Sequence, residues 1–219
     1  YGKDNTADWY PTDVTFNDLG HATYTVNHKG EKVAKVELSI PGMHNVYNSL
    51  SAFALATCYG VDTDAIVKGI KNFTGTDRRF QFKGQFNGVN VIDDYAHHPT
   101  EIQATINSAR GTKLNKLWIM FQPHTYTRTY NHLDDFAKVL SEADHVILLD
   151  IYASREKDTG LVSSKDLRDK IEALGGVVTY CPTFNDAEKY AVDNCRKGDM
   201  LITMGAGDVY KIGEKLVRQ

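Results

Sequence analysis

Cysteine is scarce: Cys58, Cys181 and Cys195 are the only three in 219 residues, and no two are close in sequence. The odd count and wide spacing argue against a disulfide framework, and the missing CxxC pair argues against a zinc ribbon or a redox motif. The thiols read as reduced, mostly core groups of a cytoplasmic protein. No run approaches 18 apolar residues, so no transmembrane helix is expected. The amino-terminal YGKDNTADWYP has no apolar signal-peptide segment and no initiating Met. Charge of neither sign dominates. The net of −3 marks no nucleic acid or anionic membrane as a partner, so an anionic ligand has to be held by local cations. There is no GxxxxGK[ST] and hence no phosphate-cradling P-loop. HExxH, internal repeats and low-complexity tracts are absent as well.

What is present is an ordinary globular composition, 42% hydrophobic and 24% charged, in a chain long enough for one or two domains. Two grammars follow one another. Residues 12–40 alternate in hydrophobicity around a Lys29-Gly30 corner, which predicts an antiparallel meander ended by Pro41-Gly42. Helices are predicted over about 45–59, from Val46, Leu50, Phe53 and Ala54 at helical spacing, and over 63–72. FTGTDRRF then reads as a linker. Beyond it a hairpin around Asn87-Gly88 (81–86 with 89–93) opens a strand–helix series. Strands are expected at 116–121, 145–149, 177–180 and 199–203. Helices are expected at 100–110, 131–141, 163–173, 184–195 and 208–217. Short apolar strands such as LWIMF and HVILL between amphipathic helices predict a mostly parallel sheet covered on both faces. Ligands of such sheets bind outside the carboxyl ends of the strands, which selects the loops to read for chemistry.

The first such loop is DDYAHHPTE, residues 93–101. Two carboxylates, a phenol and two imidazoles crowd one strand end, and Pro99 suits the first position of the next helix. Helix caps and solvated polar groups are the competing structural reading. The loop after LWIMF holds His124 and Arg128. If consecutive strands are neighbours, His97 and Arg128 face one pocket, where an arginine fork can hold a carboxylate; a surface arginine beside a capping threonine is the alternative. A zinc site from Asp94, His97, His98 and His124 is a further reading, but its spacing matches none of the usual ligand patterns. Asn45 and Asn48 share a face at a helix start, where two amides can read a purine edge or Asn45 can simply cap the helix. Arg78-Arg79 is a candidate phosphate clamp. Asp150–Glu156 and Gly205-Ala206-Gly207-Asp208 are two more strand-end loops, the latter like half a dinucleotide fingerprint.

In this order, PGMHNVYNSLSA, TDRRF, DDYAHHPTE, FQPHTYTRT and MGAGD, spread over residues 41–208, resemble the Mur ligases of peptidoglycan synthesis. DYAHHPTE with QPHTYTRT is similar to the alanine-adding branch and to its murein-peptide-recycling relative. HNVYN alone would indicate only the wider superfamily, folylpolyglutamate synthases included. The resemblance implies a fragment of a three-domain enzyme, inactive alone. Residues 1–78 resemble the latter part of a central ATPase-like domain, a β-meander and two helices, beyond its Walker lysine and most of its Mg2+ ligands. Residues 79–219 resemble a complete α/β dinucleotide-fold domain, a mostly parallel sheet with one antiparallel edge hairpin, that brings the amino acid. TDRRF is then the expected hinge.

The implied chemistry is ligation of L-alanine to the lactyl carboxylate of UDP-N-acetylmuramic acid through an acyl phosphate made with ATP. No nucleic acid or membrane takes part. Alternatives are the peptide-recycling ligase and a non-catalytic nucleotide-binding module. Carried over residue by residue, Asn45 and Asn48 resemble the adenine-reading pair. Asp94 resembles a ribose ligand, and Arg78 or Arg79, with Arg79 favoured, resembles a phosphate ligand. Tyr95, His97, His124 and Arg128 resemble the alanine pocket. There His97 and His124 are the catalytic pair near the amine and acyl phosphate, and Arg128 takes the carboxylate. The family often has arginine where this sequence has Thr125, which leaves Arg128 as the main carboxylate anchor.

Overall fold

The computed structural model describes residues 1–218. They form two compact units, Tyr1–Thr76 with Gly111–Lys113, and Asp77–Arg110 with Leu114 onward. Among the described residues no helix is long and apolar enough to cross a membrane.

In the first unit, strands β1 (Trp9–Phe16), β2 (His21–His28) and β3 (Glu31–Pro41) form an antiparallel sheet in that order. Lys29 and Gly30 turn β2 into β3 with φ of 48° and 90°, the two left-handed conformations of a type I′ hairpin. Period-two alternation turns Ala22, Tyr24 and Val26 inward, all fully buried. They pack with Val46, Leu50 and Phe53 of helix α1 (Met43–Cys58) and Ile66 of α2 (Thr63–Asn72). Helix α1 starts at Met43 behind Gly42. Asn45 therefore lies in the first turn and is not the N-cap.

In the second unit, β4 (Gln81–Phe86) and β5 (Val89–Asp94) form the edge hairpin, with Asn87 and Gly88 at φ of 50° and 78°. Then follow α3 (Pro99–Arg110), β6 (Leu117–Phe121), α4 (Tyr126–Asn131), α5 (Leu133–Leu140) and β7 (His145–Leu148). The chain continues through α6 (Ser164–Ala173), β8 (Val178–Tyr180), α7 (Phe184–Asn194), β9 (Met200–Met204) and α8 (Tyr210–Leu216). The sheet order is β4-β5-β9-β6-β7-β8, parallel except for β4. Alternation along β6 sends Leu117, Ile119 and Phe121 to a core under α3, α5 and α6, and Trp118 and Met120 to a core under α7 and α8. Each fully buried aliphatic side chain contributes about 1.5–3 kcal/mol, so the buried faces fix the register. Two expectations fail here. The last strand in the chain, β9, inserts between β5 and β6, so those two are not neighbours. A short helix, α4, also stands in what reads from sequence as loop.

At the amino ends of the strands, Asp199 is buried and accepts from Trp118 Nε1 (2.9 Å), Arg196 N (2.9 Å) and Lys116 N (3.2 Å). His145 stacks on Trp118 at 4.4 Å and lies 2.9 Å from Thr179 Oγ1. Burial, then the Lys116 charge, lowers its pKa. A histidine with a lowered folded pKa binds fewer protons folded than unfolded. Its contribution to stability is complete above the unfolded value, about 6.5, and is lost as pH falls through the folded value. His21 and His124 are shifted the same way. Stability to urea is therefore expected to decline between pH 7.5 and 5.5, and His145→Gln is expected to flatten that slope. A profile unchanged by the substitution would contradict the assignment.

Candidate active site

The carboxyl end of β5 is built on inward-turned charges. Asp93 is 1% exposed and takes Arg78 Nε at 3.0 Å and Thr203 Oγ1 at 2.7 Å. Asp94 is 5% exposed and takes Ala96 N at 2.8 Å, Phe80 N at 3.0 Å and Thr105 Oγ1 at 3.0 Å. Burial raises both pKa values against the lowering effect of these bonds. The carboxylate expected to meet a ribose is thus turned into the fold, and its geometry is that of a residue that shapes the turn. The two linker arginines separate. Arg78 is tied to Asp93 and donates through Nη2 to the Gly205 carbonyl at 2.6 Å. Arg79 is exposed, close enough to lower the pKa values of Asp94 and Glu101. The boundary between the two units falls at Thr76 and Asp77, and from Arg78 onward the TDRRF motif is bonded within the second unit.

The two histidines of the turn also part. His98 Nδ1 lies 3.0 Å from Thr100 Oγ1, and its ring meets His132 edge-on at 4.7 Å, so it helps to start α3. His97 faces the other way. Its backbone N donates to Glu101 Oε2 at 3.0 Å, and its Nδ1 lies 2.9 Å from the Tyr95 carbonyl. A carbonyl only accepts, so Nδ1 carries the proton and Nε2 of the neutral ring is left as an acceptor.

The β6 loop supplies the opposite polarity. Arg128 Nη1 lies 3.0 Å from His124 Nδ1. A guanidinium only donates, so the neutral His124 ring carries its proton on Nε2. Burial, then the charges of Arg128 and His97, lower the His124 pKa against Glu156 and keep the ring neutral near pH 7. Its ring stacks on Tyr152 at 5.7 Å, and Thr125 N donates to the Tyr152 carbonyl at 2.9 Å. Thr125 caps α4 at φ 64°, a conformation that a β-branched residue adopts only under constraint from its surroundings.

The His97 and His124 rings are 5.9 Å apart although β9 separates their strands. The glycines after β9 allow this. A Cβ on Gly205 would stand 2.6 Å from the Gln122 carbonyl oxygen, and one on Gly207 would stand 2.5 Å from Gln122 Oε1 and 2.9 Å from the Tyr152 ring. Their role is to let the β6 and β7 loops close over the end of β9. Gly205→Ala, at φ 142°, is expected to destabilise the chain by about 1–3 kcal/mol, read as a lower urea midpoint. An unchanged midpoint would contradict this close approach. Tyr152, Gln122 and Tyr210 take part without having been singled out from sequence. Gln122 lies in the FQPHTYTRT motif and Tyr152 in the DIYASRE loop, and nothing in the chain's pattern marks Tyr210.

In the first unit, Asn45 Nδ2 donates to the Pro41 carbonyl at 2.8 Å, and Asn45 Oδ1 accepts from Asn48 Nδ2 at 3.2 Å. The pair is oriented, and Asn48 Oδ1 with one Asn48 N–H remains, the acceptor and donor a purine edge requires. Among the described residues no group of three or more histidine, cysteine or carboxylate side chains is placed to hold a metal ion.

Residues 78–207 match the Mur ligase glutamate-ligase domain. The whole chain is 51% identical to a UDP-N-acetylmuramate–L-alanine ligase of Lachnospira eligens, covering 48% of it. The crystal structure of the UDP-N-acetylmuramate–alanine ligase of Thermotoga maritima superposes with a TM-score of 0.81 at 26% identity, over 96% of this chain and 45% of that one. A murein peptide ligase structure from Psychrobacter arcticus gives 0.67 at 27%, over 99% and 45%. The chain spans about half the length of the curated relatives it matches.

Proposed function

The chain belongs to the Mur ligase family, and from that premise we propose that its parent protein joins L-alanine to the lactyl carboxylate of UDP-N-acetylmuramic acid, using ATP to activate that carboxylate as an acyl phosphate. The observation that carries the reading is the meeting of His97, His124 and Arg128 beyond the carboxyl ends of β5 and β6. An α-amino acid presents a carboxylate and an amine a few ångströms apart. Arg128 supplies the fork for the first and His97 Nε2 the acceptor for the second. His124 Nε2–H supplies a neutral donor for oxygen charge that develops on the acyl group.

In this reading the ammonium of alanine gives a proton to His97, and the amine attacks the acyl carbon. The bond from that carbon to the phosphate oxygen breaks, and inorganic phosphate leaves with the second amine proton. Positioning and charge stabilisation account for most of the rate. Residues 1–78 are the latter part of the ATP-binding domain, and 79–219 the amino-acid domain. Asn45 and Asn48 take the adenine edge, and Arg79 rather than Arg78 reaches the phosphates. The Mg2+ that accompanies ATP is held mostly by residues outside this chain, and the reaction is cytoplasmic. Lactyl carboxylate labelled with 18O at both oxygens tests the route: one labelled oxygen stays in the amide and the other should appear in the released phosphate, and its appearance in water instead would exclude an acyl phosphate. The likeness to a murein peptide ligase favours a second reading, a peptide as the incoming amine.

A further inference from the structure

We propose that Arg78 is a positioning residue, a guanidinium clamped between Tyr95 and Tyr210 that fixes the turn presenting His97. The importance given to His97 rests on the ligase reading; the clamp rests on geometry alone. The guanidinium carbon lies 4.8 Å from the Tyr95 ring centroid and 4.6 Å from that of Tyr210. Its Nε pairs with buried Asp93 and its Nη2 with the Gly205 carbonyl. The Arg78 carbonyl accepts from Tyr95 N at 2.7 Å. Tyr95 is thus gripped by ring and amide, and its own carbonyl is the group that sets the His97 tautomer. Arg78 holds this arrangement at φ 59°, a left-handed conformation that L residues rarely adopt and that the contacts offset. One side chain therefore ties the end of β5, the glycine corner after β9 and the first residue of α8 into one rigid mount.

Lysine at this position keeps the charge beside Asp93 but loses the planar stack and the second fork bond. Histidine 15N spectra of the chain give the test, with the Trp118 indole N–H, bonded to Asp199 at the far ends of the strands, as the marker of an intact fold. The expected result is a single Nδ1–H form of His97 in the unaltered chain. In Arg78→Lys and in Tyr210→Leu it becomes a mixture of tautomers with the Trp118 signal unmoved. If Arg78→Lys loses the Trp118 signal, Tyr210→Leu decides. A His97 tautomer unchanged in the folded variants would overturn the proposal. A ring tautomer is read and not turnover, so this failure is separate from failure of the ligase reading.

Discussion

Replacing His97 with glutamine in the parent protein is expected to lower kcat about 10²- to 10⁴-fold while the KM for L-alanine changes little. Glutamine keeps a polar group of similar reach but cannot accept the proton of an ammonium. The effect should be confined to kcat because Nδ1 of His97 is taken by the Tyr95 carbonyl and only Nε2 is left for the proposed substrate. In the proposed pocket the amino-acid carboxylate is bound by Arg128, on a different element. The dependence on pH should change with the rate. Activity of the variant should climb with pH as alanine loses its proton unaided. A loss appearing as a raised KM, or a variant whose activity does not climb with pH, would remove His97 from proton transfer and leave it as a packing partner of Tyr95 and His124.

Arg128→Ala should instead raise the KM for L-alanine roughly 30- to 1,000-fold, the size expected when one partner of a desolvated charge pair is removed. The structure adds a second consequence. Arg128 is bonded to His124 Nδ1, and its charge is one cause of the low His124 pKa, after burial. The alanine variant should therefore move the His124 titration back toward the ordinary histidine range and free its tautomer. Arg128→Lys should restore part of the KM but not the tautomer, because an ammonium lacks the fork. An unchanged alanine KM in Arg128→Ala would dismiss it as the carboxylate anchor.

Much of the fold was legible because it is written in local rules. Lys29-Gly30 and Asn87-Gly88 demand left-handed corners, and the strand–helix alternation announces the parallel sheet. The place of β9 was not legible. MLITM is an apolar strand like LWIMF, and which of them lies beside β5 is decided by packing over a hundred residues of separation. Helix α4 escaped because YTRTYN has two β-branched threonines, no apolar stripe and a start forced by Thr125 at positive φ. At the site, residue types pointed to the carboxyl ends of β5 and β6. They did not reveal that Asp93 and Asp94 turn inward, that His98 belongs to a helix start, or that the two facing imidazoles have opposite tautomers. Those facts depend on which carbonyl or guanidinium each ring nitrogen meets, and only the tertiary structure sets that.

The central claim is that this strand-end cluster receives the amine of free L-alanine in an ATP-dependent ligase. The most direct measurement gives the parent protein UDP-N-acetylmuramic acid, ATP and Mg2+ and offers L-alanine in competition with a murein tripeptide, with the amide product identified by mass. The account predicts that the alanine adduct predominates and forms only with ATP. A predominant tripeptide adduct, or no ATP-dependent amide at all, would contradict it.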